Sequence, residues 1–135
     1  MDNAQEADEP ESQQRCTVLN VNDEDAIRYI LTRVLKSGGY SVTEARTGQE
    51  GIDLAAQAPD LILLDVQLPD INGFRVCELL RAEPSTASIP VLMISANYVQ
   101  PADIAAGIQC GAKGYLTHPV SAADLLAAVK ALLPA

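Results

Sequence analysis

Residues 60–65 read Asp-Leu-Ile-Leu-Leu-Asp, and this short stretch decides the fold. Four apolar residues in a row, without alternation, are typical of a strand that is covered on both faces. Strands of this kind belong to parallel sheets, because the helical connections between parallel strands pack on both faces of the sheet. The stretch therefore predicts a buried strand of a parallel sheet.

Strands and helices alternate along the chain on either side of this stretch. Further strands are predicted at 16–21, 40–45, 89–95 and 113–117. Helices are predicted at 24–36, at 47–58, from the loop at 69–73 to about residue 82, at 101–110 and at 121–133. In the first helix the apolar residues recur with helical spacing and define one face: Ile27, Ile30, Leu31, Val34 and Leu35. Five strand–helix alternations predict an α/β fold, a five-stranded parallel sheet with five helices on both faces.

Local signals mark the ends of the predicted helices. Thr47 with Glu50 and Ser121 with Asp124 have the spacing of capping boxes, which begin helices. The glycine pair Gly38–Gly39 is predicted to end the first helix, with one of the two in the left-handed conformation. Pro101 is expected in the first turn of the fourth helix.

Composition and charge limit the function of the chain. Its formal net charge is −9, which argues against direct nucleic-acid binding, since phosphate contacts need a basic face. No apolar run approaches the ~18 residues of a membrane span, so a cytoplasmic location is expected. Residues 1–15 are polar, acidic and aperiodic, which predicts a disordered tail before one domain at 16–135. The three cysteines are widely spaced and are expected to be free thiols.

Polar residues follow four of the five predicted strands. The carboxyl ends of parallel strands lie at one edge of the sheet, where ligands bind. Carboxylates gathered there would attract Mg²⁺ or Mn²⁺, and an aspartate beside such an ion and a small hydroxyl could accept a phosphoryl group. The alternative is that each aspartate only caps a helix or faces solvent. The residues expected at this edge are Asn22, Asp23, Glu24, Asp25, Asp65, Gln67, Ser95, Asn97, Thr117 and His118.

Four segments together resemble the receiver domain of two-component response regulators. They read "VLNVNDEDAIR", "DLILLDVQLPDINGF", "IPVLMISA" and "GAKGYLTHPV", and the likeness extends from about Thr17 to Leu133. The details "LN", "RY" and "THPV" resemble receivers attached to hybrid sensor histidine kinases. The resemblance implies a flavodoxin-like fold with strand order 2-1-3-4-5.

The resemblance also implies roles for individual residues. It places Asp65 at the phosphoacceptor position and Asp23 at a metal-binding carboxylate, with the main-chain carbonyl of Gln67 as a third ligand of Mg²⁺ (or Mn²⁺). Ser95 stands at the switch hydroxyl, and Tyr115 at the aromatic switch position.

Two residues depart from the family pattern. Asn22 stands where the family usually has an acid, so we expect it to bind the metal weakly or through water. His118 replaces a lysine that ordinarily pairs with the acceptor and its phosphoryl group. It could contact phosphate, fill space without a switching role, or bind metal, although no second histidine supports the last alternative. The resemblance further predicts a cis bond between His118 and Pro119.

The function implied is a phosphorelay receiver and not an enzyme beyond its own phosphorylation chemistry. Its expected donor is a histidine kinase or a phosphotransfer protein. Its expected signalling and homodimer surface is the face of the fourth helix, fifth strand and fifth helix, where Ala127 and Ala131 lie. The alternatives are an interaction module independent of phosphorylation, and a phosphohydrolase, which commonly needs an acid where Gln67 stands.

Overall fold

A computed structural model describes residues 15–133 of the chain. The strands are β1 (Thr17–Val21), β2 (Ser41–Ala45), β3 (Leu61–Asp65), β4 (Val91–Ser95) and β5 (Gly114–Thr117). The helices are α1 (Asp25–Ser37), α2 (Gly48–Ala55), α3 (Gly73–Ala82), α4 (Pro101–Gln109) and α5 (Ala122–Leu132). The predicted tail at 1–15 lies outside the described residues except for Arg15. No helix within the described range is long and apolar enough to cross a membrane.

The five strands form one parallel sheet in the order β2-β1-β3-β4-β5, as predicted. β3 lies at the centre, and its four apolar residues, Leu61–Leu64, are almost completely buried. The uninterrupted apolar run of this strand is explained by its position, because it has a strand on either side and helices on both faces.

Two apolar cores cover the two faces of the sheet, because successive strand residues point to opposite faces. One core contains Leu19, Ile62, Leu64, Met93 and side chains of α2 and α3. The other contains Val18, Leu61, Leu63, Ile94 and side chains of α1 and α5. Cys77 is buried in the first core, and all three cysteines are free thiols, as predicted.

Most helix ends follow the predicted signals. The side-chain oxygens of Thr47 and Ser121 accept the N–H groups three residues later. The reciprocal bond of Glu50 goes to the N–H of Arg46. Gly39 has a positive φ, and Pro101 begins α4. The prediction that α2 continues to about Ala58 was wrong: the helix ends at Ala55, and Ala58, which precedes a proline, has a φ of 61°.

The buried face of α1 differs from the predicted apolar face. Leu31 and Leu35 are buried, but Ile30 is 58% exposed, whereas Arg28 and Thr32 are buried. Hydrophobic periodicity assigns polar residues to the surface, but both of these have buried or partly buried hydrogen-bond partners. The packed face of the helix is therefore rotated toward Arg28.

Candidate functional site

A cleft of about 370 Å³ opens at the carboxyl edge of the sheet. It brings together Asn22 and Asp23 after β1, Asp65 and Gln67 at the end of β3, and His118 after β5. We call this space the acceptor cleft. These side chains come from three strands that are separated by up to about a hundred residues in the chain, so only the parallel sheet gathers them.

Asp65, the last residue of β3, is the carboxylate at the base of the cleft. Burial raises the pKa of its carboxyl group to about 6, and the nearby charge of Asp23 acts in the same direction. The N–H of Gln67 donates to Asp65 Oδ1 at 3.4 Å and opposes this rise. A partly dehydrated carboxylate that faces a second carboxylate is destabilised as an anion until a cation or proton compensates it.

Asn22 shapes the loop that carries Asp23. It is only 2% exposed, and its Oδ1 accepts the N–H of Glu24 at 2.9 Å. Its own N–H donates to the carbonyl of Ala45 at 3.0 Å. The amide oxygen thus takes part in a turn within the loop, while Asp23 is exposed at the cleft.

The loop after β3 is held against its surroundings by very close packing. Gly73, at the start of α3, donates its N–H to the carbonyl of Val66 at 2.7 Å. A Cβ atom at Gly73 would lie 2.5 Å from the carbonyl oxygen of Asp65. Asp70 in the same loop accepts the N–H groups of Gly48 and Gln49 at the start of α2. These contacts fix the backbone on either side of Asp65.

The side chains of Gln67 and Asn97 meet across the cleft. Asn97 Nδ2 donates to Gln67 Oε1, which links the loop after β3 to the loop after β4. Both residues are exposed and line the acceptor cleft.

Ser95 and Tyr115 lie beside the cleft and are not part of its wall. Ser95, at the end of β4, is buried, and its Oγ accepts the N–H groups of Asn97 at 3.2 Å and Tyr98 at 2.9 Å. The hydroxyl of Tyr115 donates to the carbonyl of Tyr98 at 2.6 Å. Both residues therefore contact the loop after β4, and Gly107 of α4 packs against the Tyr115 ring.

His118 lies between the acceptor cleft and a small apolar hollow beside α1. The main-chain N–H of His118 donates to the carbonyl of Ser95 at 2.9 Å. The peptide bond between His118 and Pro119 is cis, as predicted. Burial lowers the pKa of its imidazole, and Glu24 partly opposes this change. At neutral pH the ring therefore differs from a lysine, which is a permanent cation.

The donor set of the cleft fits a hard cation that keeps part of its water. Within residues 15–133 no group of three His, Cys, Asp or Glu side chains could hold a metal without help. Asp23 and Asp65 supply two carboxylates, and main-chain carbonyls and water must supply the other oxygen ligands. Mg²⁺ binds in this way, through one or two carboxylates and several waters.

Sequence reasoning missed a polar network in which three buried residues are bonded to one exposed glutamate. Arg28 and Thr32 of α1, Asn20 of β1 and Glu44 of β2 are connected by hydrogen bonds. The signal that could have found them is Asn20, a polar residue in the middle of an apolar strand, which needs a buried partner.

Comparison with known protein families gives a match over most of the chain. A family model described as the response regulator receiver domain matches residues 18–130. The chain is 44% identical over 118 residues to a DNA-binding dual master transcriptional regulator, RpaA of Synechocystis. This match covers 86% of this chain and 48% of that protein. It is 36% identical over 117 residues to the protein PilH of Pseudomonas aeruginosa, with coverage of 86% and 96%. The chain thus spans about half the length of RpaA and of several other curated relatives.

Solved structures show the same architecture. A putative response regulator from Chloroflexus aurantiacus superposes with a TM-score of 0.84 at 33% identity, covering 88% of this chain and 98% of that one. The chemotaxis protein CheY4 of Vibrio cholerae superposes with a TM-score of 0.82 at 30% identity, covering 88% and 99%.

Proposed function

The chain belongs to the response regulator receiver domain family, and we propose that it accepts a phosphoryl group on Asp65 from a phosphohistidine. The donor would be a histidine kinase or a phosphotransfer protein. The observation that carries the proposal is the acceptor cleft, in which Asp65 lies beside Asp23, Gln67 and His118. Residues that follow four separate strands line this cleft, and the carboxylate of Asp65 is partly buried with a raised pKa.

In the proposed reaction an oxygen of the Asp65 carboxylate attacks the phosphorus of the phosphohistidine. The new O–P bond forms as the P–N bond breaks, and the donor imidazole leaves with the electron pair. Ionised Asp65 is the nucleophile, so the reaction needs the carboxylate in the unprotonated form. Mg²⁺ held by Asp23, Asp65 and the main-chain carbonyl of Gln67 would neutralise the charge on the phosphoryl oxygens.

The switch is proposed to pass through Ser95 and Tyr115. Ser95 Oγ accepts two main-chain N–H groups of the loop after β4. In the phosphorylated state its hydroxyl is proposed to donate to a phosphoryl oxygen. A shift of Ser95 toward the phosphoryl group would move this loop, to which Tyr115 is also bonded. His118, with its ring at the cleft, is proposed to donate one hydrogen bond to phosphate.

The output surface is proposed to be the face of α4, β5 and α5. Ile108 of α4 is exposed, as are Ala127 and Ala131 of α5. A partner or a second copy of the chain could pack against these small apolar side chains. Ala131→Glu should then weaken association of the chain with the partner or with a second copy of itself in sedimentation experiments. The variant should leave the far-ultraviolet circular dichroism spectrum unchanged. Unaltered association would exclude this face.

The decisive test is labelling of Asp65. We expect acetyl phosphate or beryllofluoride with Mg²⁺ to modify the protein, and Asp65→Asn to abolish the modification. Asp53→Asn, at an exposed carboxylate of α2, is the matched control and should be labelled like the wild type. Labelling of Asp65→Asn, or none of the wild type, would refute the proposal.

The second candidate is an interaction module that works without phosphorylation. The observation that favours it is Asn22, whose amide oxygen takes part in a loop turn and leaves two carboxylates for the cation. This alternative predicts binding of the downstream partner that is unchanged by Asp65→Asn and by removal of Mg²⁺. The domain bounds 16–135, the cytoplasmic location and the origin from a hybrid kinase stay predictions.

A further inference from the structure

Arg28 is a buried arginine with three separate hydrogen-bond partners. It lies in the second turn of α1 and is 5% exposed. Its Nη1 donates to the main-chain carbonyl of Asn22 at 2.9 Å, and its Nη2 to Asp25 at 2.6 Å. Its Nε donates to Glu44 of β2 at 3.4 Å. Arginine is almost never fully buried unless it is paired, and these contacts supply the pairing.

The bond to Asn22 places Arg28 directly behind the carboxylate that faces the cleft. The carbonyl of Asn22 precedes Asp23 in the chain, and the N–H and Oδ1 of Asn22 are already bonded to Ala45 and Glu24. With the guanidinium on its carbonyl, the peptide that leads to Asp23 is fixed on both sides.

A polar network anchors Arg28 itself to the sheet. The carbonyl of Arg28 accepts a hydrogen bond from Asn20 Nδ2 at 3.2 Å, and the same nitrogen donates to Thr32 Oγ1 at 3.0 Å. Thr32 Oγ1 in turn donates to Glu44 Oε2 at 2.6 Å. One turn of α1 is thus connected to the middle of β1 and to β2. The network leaves Asn20 Oδ1 unpaired, so the arrangement is not explained by perfect satisfaction of its polar groups.

We propose that Arg28 is a positioning residue of the cation site, which holds the β1–α1 loop so that Asp23 faces Asp65. This inference rests on the proposed function and names a residue on which the proposed metal site depends. Buried ion pairs are weak evidence for stability, because apolar residues of similar volume often replace them without loss. A guanidinium that bonds a loop carbonyl and carboxylates on two elements restricts geometry in a way that apolar packing cannot. Groups that orient metal ligands typically change metal affinity 10–100-fold when they are mutated.

The test compares Arg28→Lys with Thr32→Val. Arg28→Lys keeps the positive charge but loses the planar fork that reaches the Asn22 carbonyl and the two carboxylates together. Thr32→Val removes two hydrogen bonds of the same network and leaves the Asn22 carbonyl bonded to Arg28. Binding of Mn²⁺, followed by electron paramagnetic resonance and by competition with Mg²⁺, measures the cation site without any phosphorylation reaction. Amide hydrogen exchange of residues 22–28 in the metal-free protein measures the loop itself.

We expect Arg28→Lys to weaken Mn²⁺ binding on the order of tenfold and to speed exchange in the loop. Thr32→Val should bind Mn²⁺ within about twofold of the wild type, even where its unfolding midpoint falls as far as that of Arg28→Lys. An osmolyte such as trimethylamine oxide keeps a destabilised variant folded during the titration.

Two results would overturn the inference while the proposed function survives. One is Mn²⁺ affinity and loop exchange in Arg28→Lys equal to the wild type. The other is an equal loss of affinity in Thr32→Val, which would show a general effect of lost stability. A wild-type protein that binds neither ion would instead refute the proposed function, and the inference with it.

Discussion

Replacing Asp65 by asparagine should stabilise the metal-free protein at neutral pH. Burial and the neighbouring Asp23 raise the pKa of the Asp65 carboxyl group from its ordinary value of 3.8 to about 6. If fully expressed, this rise corresponds to about 3 kcal/mol against folding when the carboxylate is ionised. Because the cleft is open to solvent, screening reduces the effect to about 1–2 kcal/mol.

The pH dependence of this gain follows from the direction of the pKa change. Between about pH 4 and 6 the folded state binds more protons than the unfolded state, so the free energy of unfolding falls as pH rises. The penalty is absent below about pH 4, where Asp65 is protonated in both states, and complete above about pH 6. Asp65→Asn removes it, so the variant should exceed the wild type at neutral pH and approach it at acid pH.

Urea denaturation followed by circular dichroism, in the presence of a chelator and at several pH values, measures this difference. Asp53→Asn is the control, because it neutralises an exposed carboxylate of α2 away from the cleft, and it should change stability by less than about 0.5 kcal/mol. Added Mg²⁺ should stabilise the wild type more than Asp65→Asn, since only the wild type retains both carboxylates. A variant no more stable than the wild type at neutral pH, or a gain that persists unchanged at acid pH, would refute the reasoning.

Three further predictions test other parts of the structure. Gly73→Ala should lower the free energy of unfolding by about 3 kcal/mol in urea denaturation, because a Cβ there would lie 2.5 Å from the Asp65 carbonyl oxygen. Near-wild-type stability would show that the loop relaxes freely. Asp70→Ala should cost about 1 kcal/mol in the same assay, since two N–H groups of the first turn of α2 lose their acceptor, and no loss would mean that water replaces it. Burial raises the pKa of Cys77 to about 11, so iodoacetamide at about pH 8 should leave this thiol unlabelled in native protein and label it in urea. Labelling of Cys77 in the native protein, found by peptide mapping, would contradict the packing of α3.

The amino-acid pattern was sufficient for the parallel α/β arrangement, whereas the strand order was implied by the resemblance to receiver domains. The run Leu61–Leu64 predicted a strand buried on both faces, and it forms the central strand of the parallel sheet. Signals such as the hydroxyl of Thr47 and the proline at 101 act within one turn of chain and therefore mark helix ends reliably. The parallel arrangement, once predicted, also places Asp23 and Asp65 at one edge, because the carboxyl ends of its strands lie together.

Hydrophobic periodicity failed where polar residues of a helix form hydrogen bonds with other elements. It assigned Ile30 to the packed face of α1, whereas Arg28 and Thr32 occupy that face and Ile30 is exposed. Thr32 and Arg28 share a hydrogen-bond partner in Glu44, a residue of β2 that is distant in sequence and becomes a neighbour only after the sheet forms.

The sequence by itself determined that Asp23, Asp65 and His118 reach the acceptor cleft, because strand direction and chain order decide which residues follow each carboxyl end. It did not show that Ser95 lies beside the cleft and not in its wall. The tertiary structure alone decided how those side chains are held: Asn22 directs its amide oxygen to the N–H of Glu24, and Arg28 binds the carbonyl of Asn22. Hydrogen bonds depend on distances and angles between groups that different elements bring together, and residue spacing along one chain does not specify them.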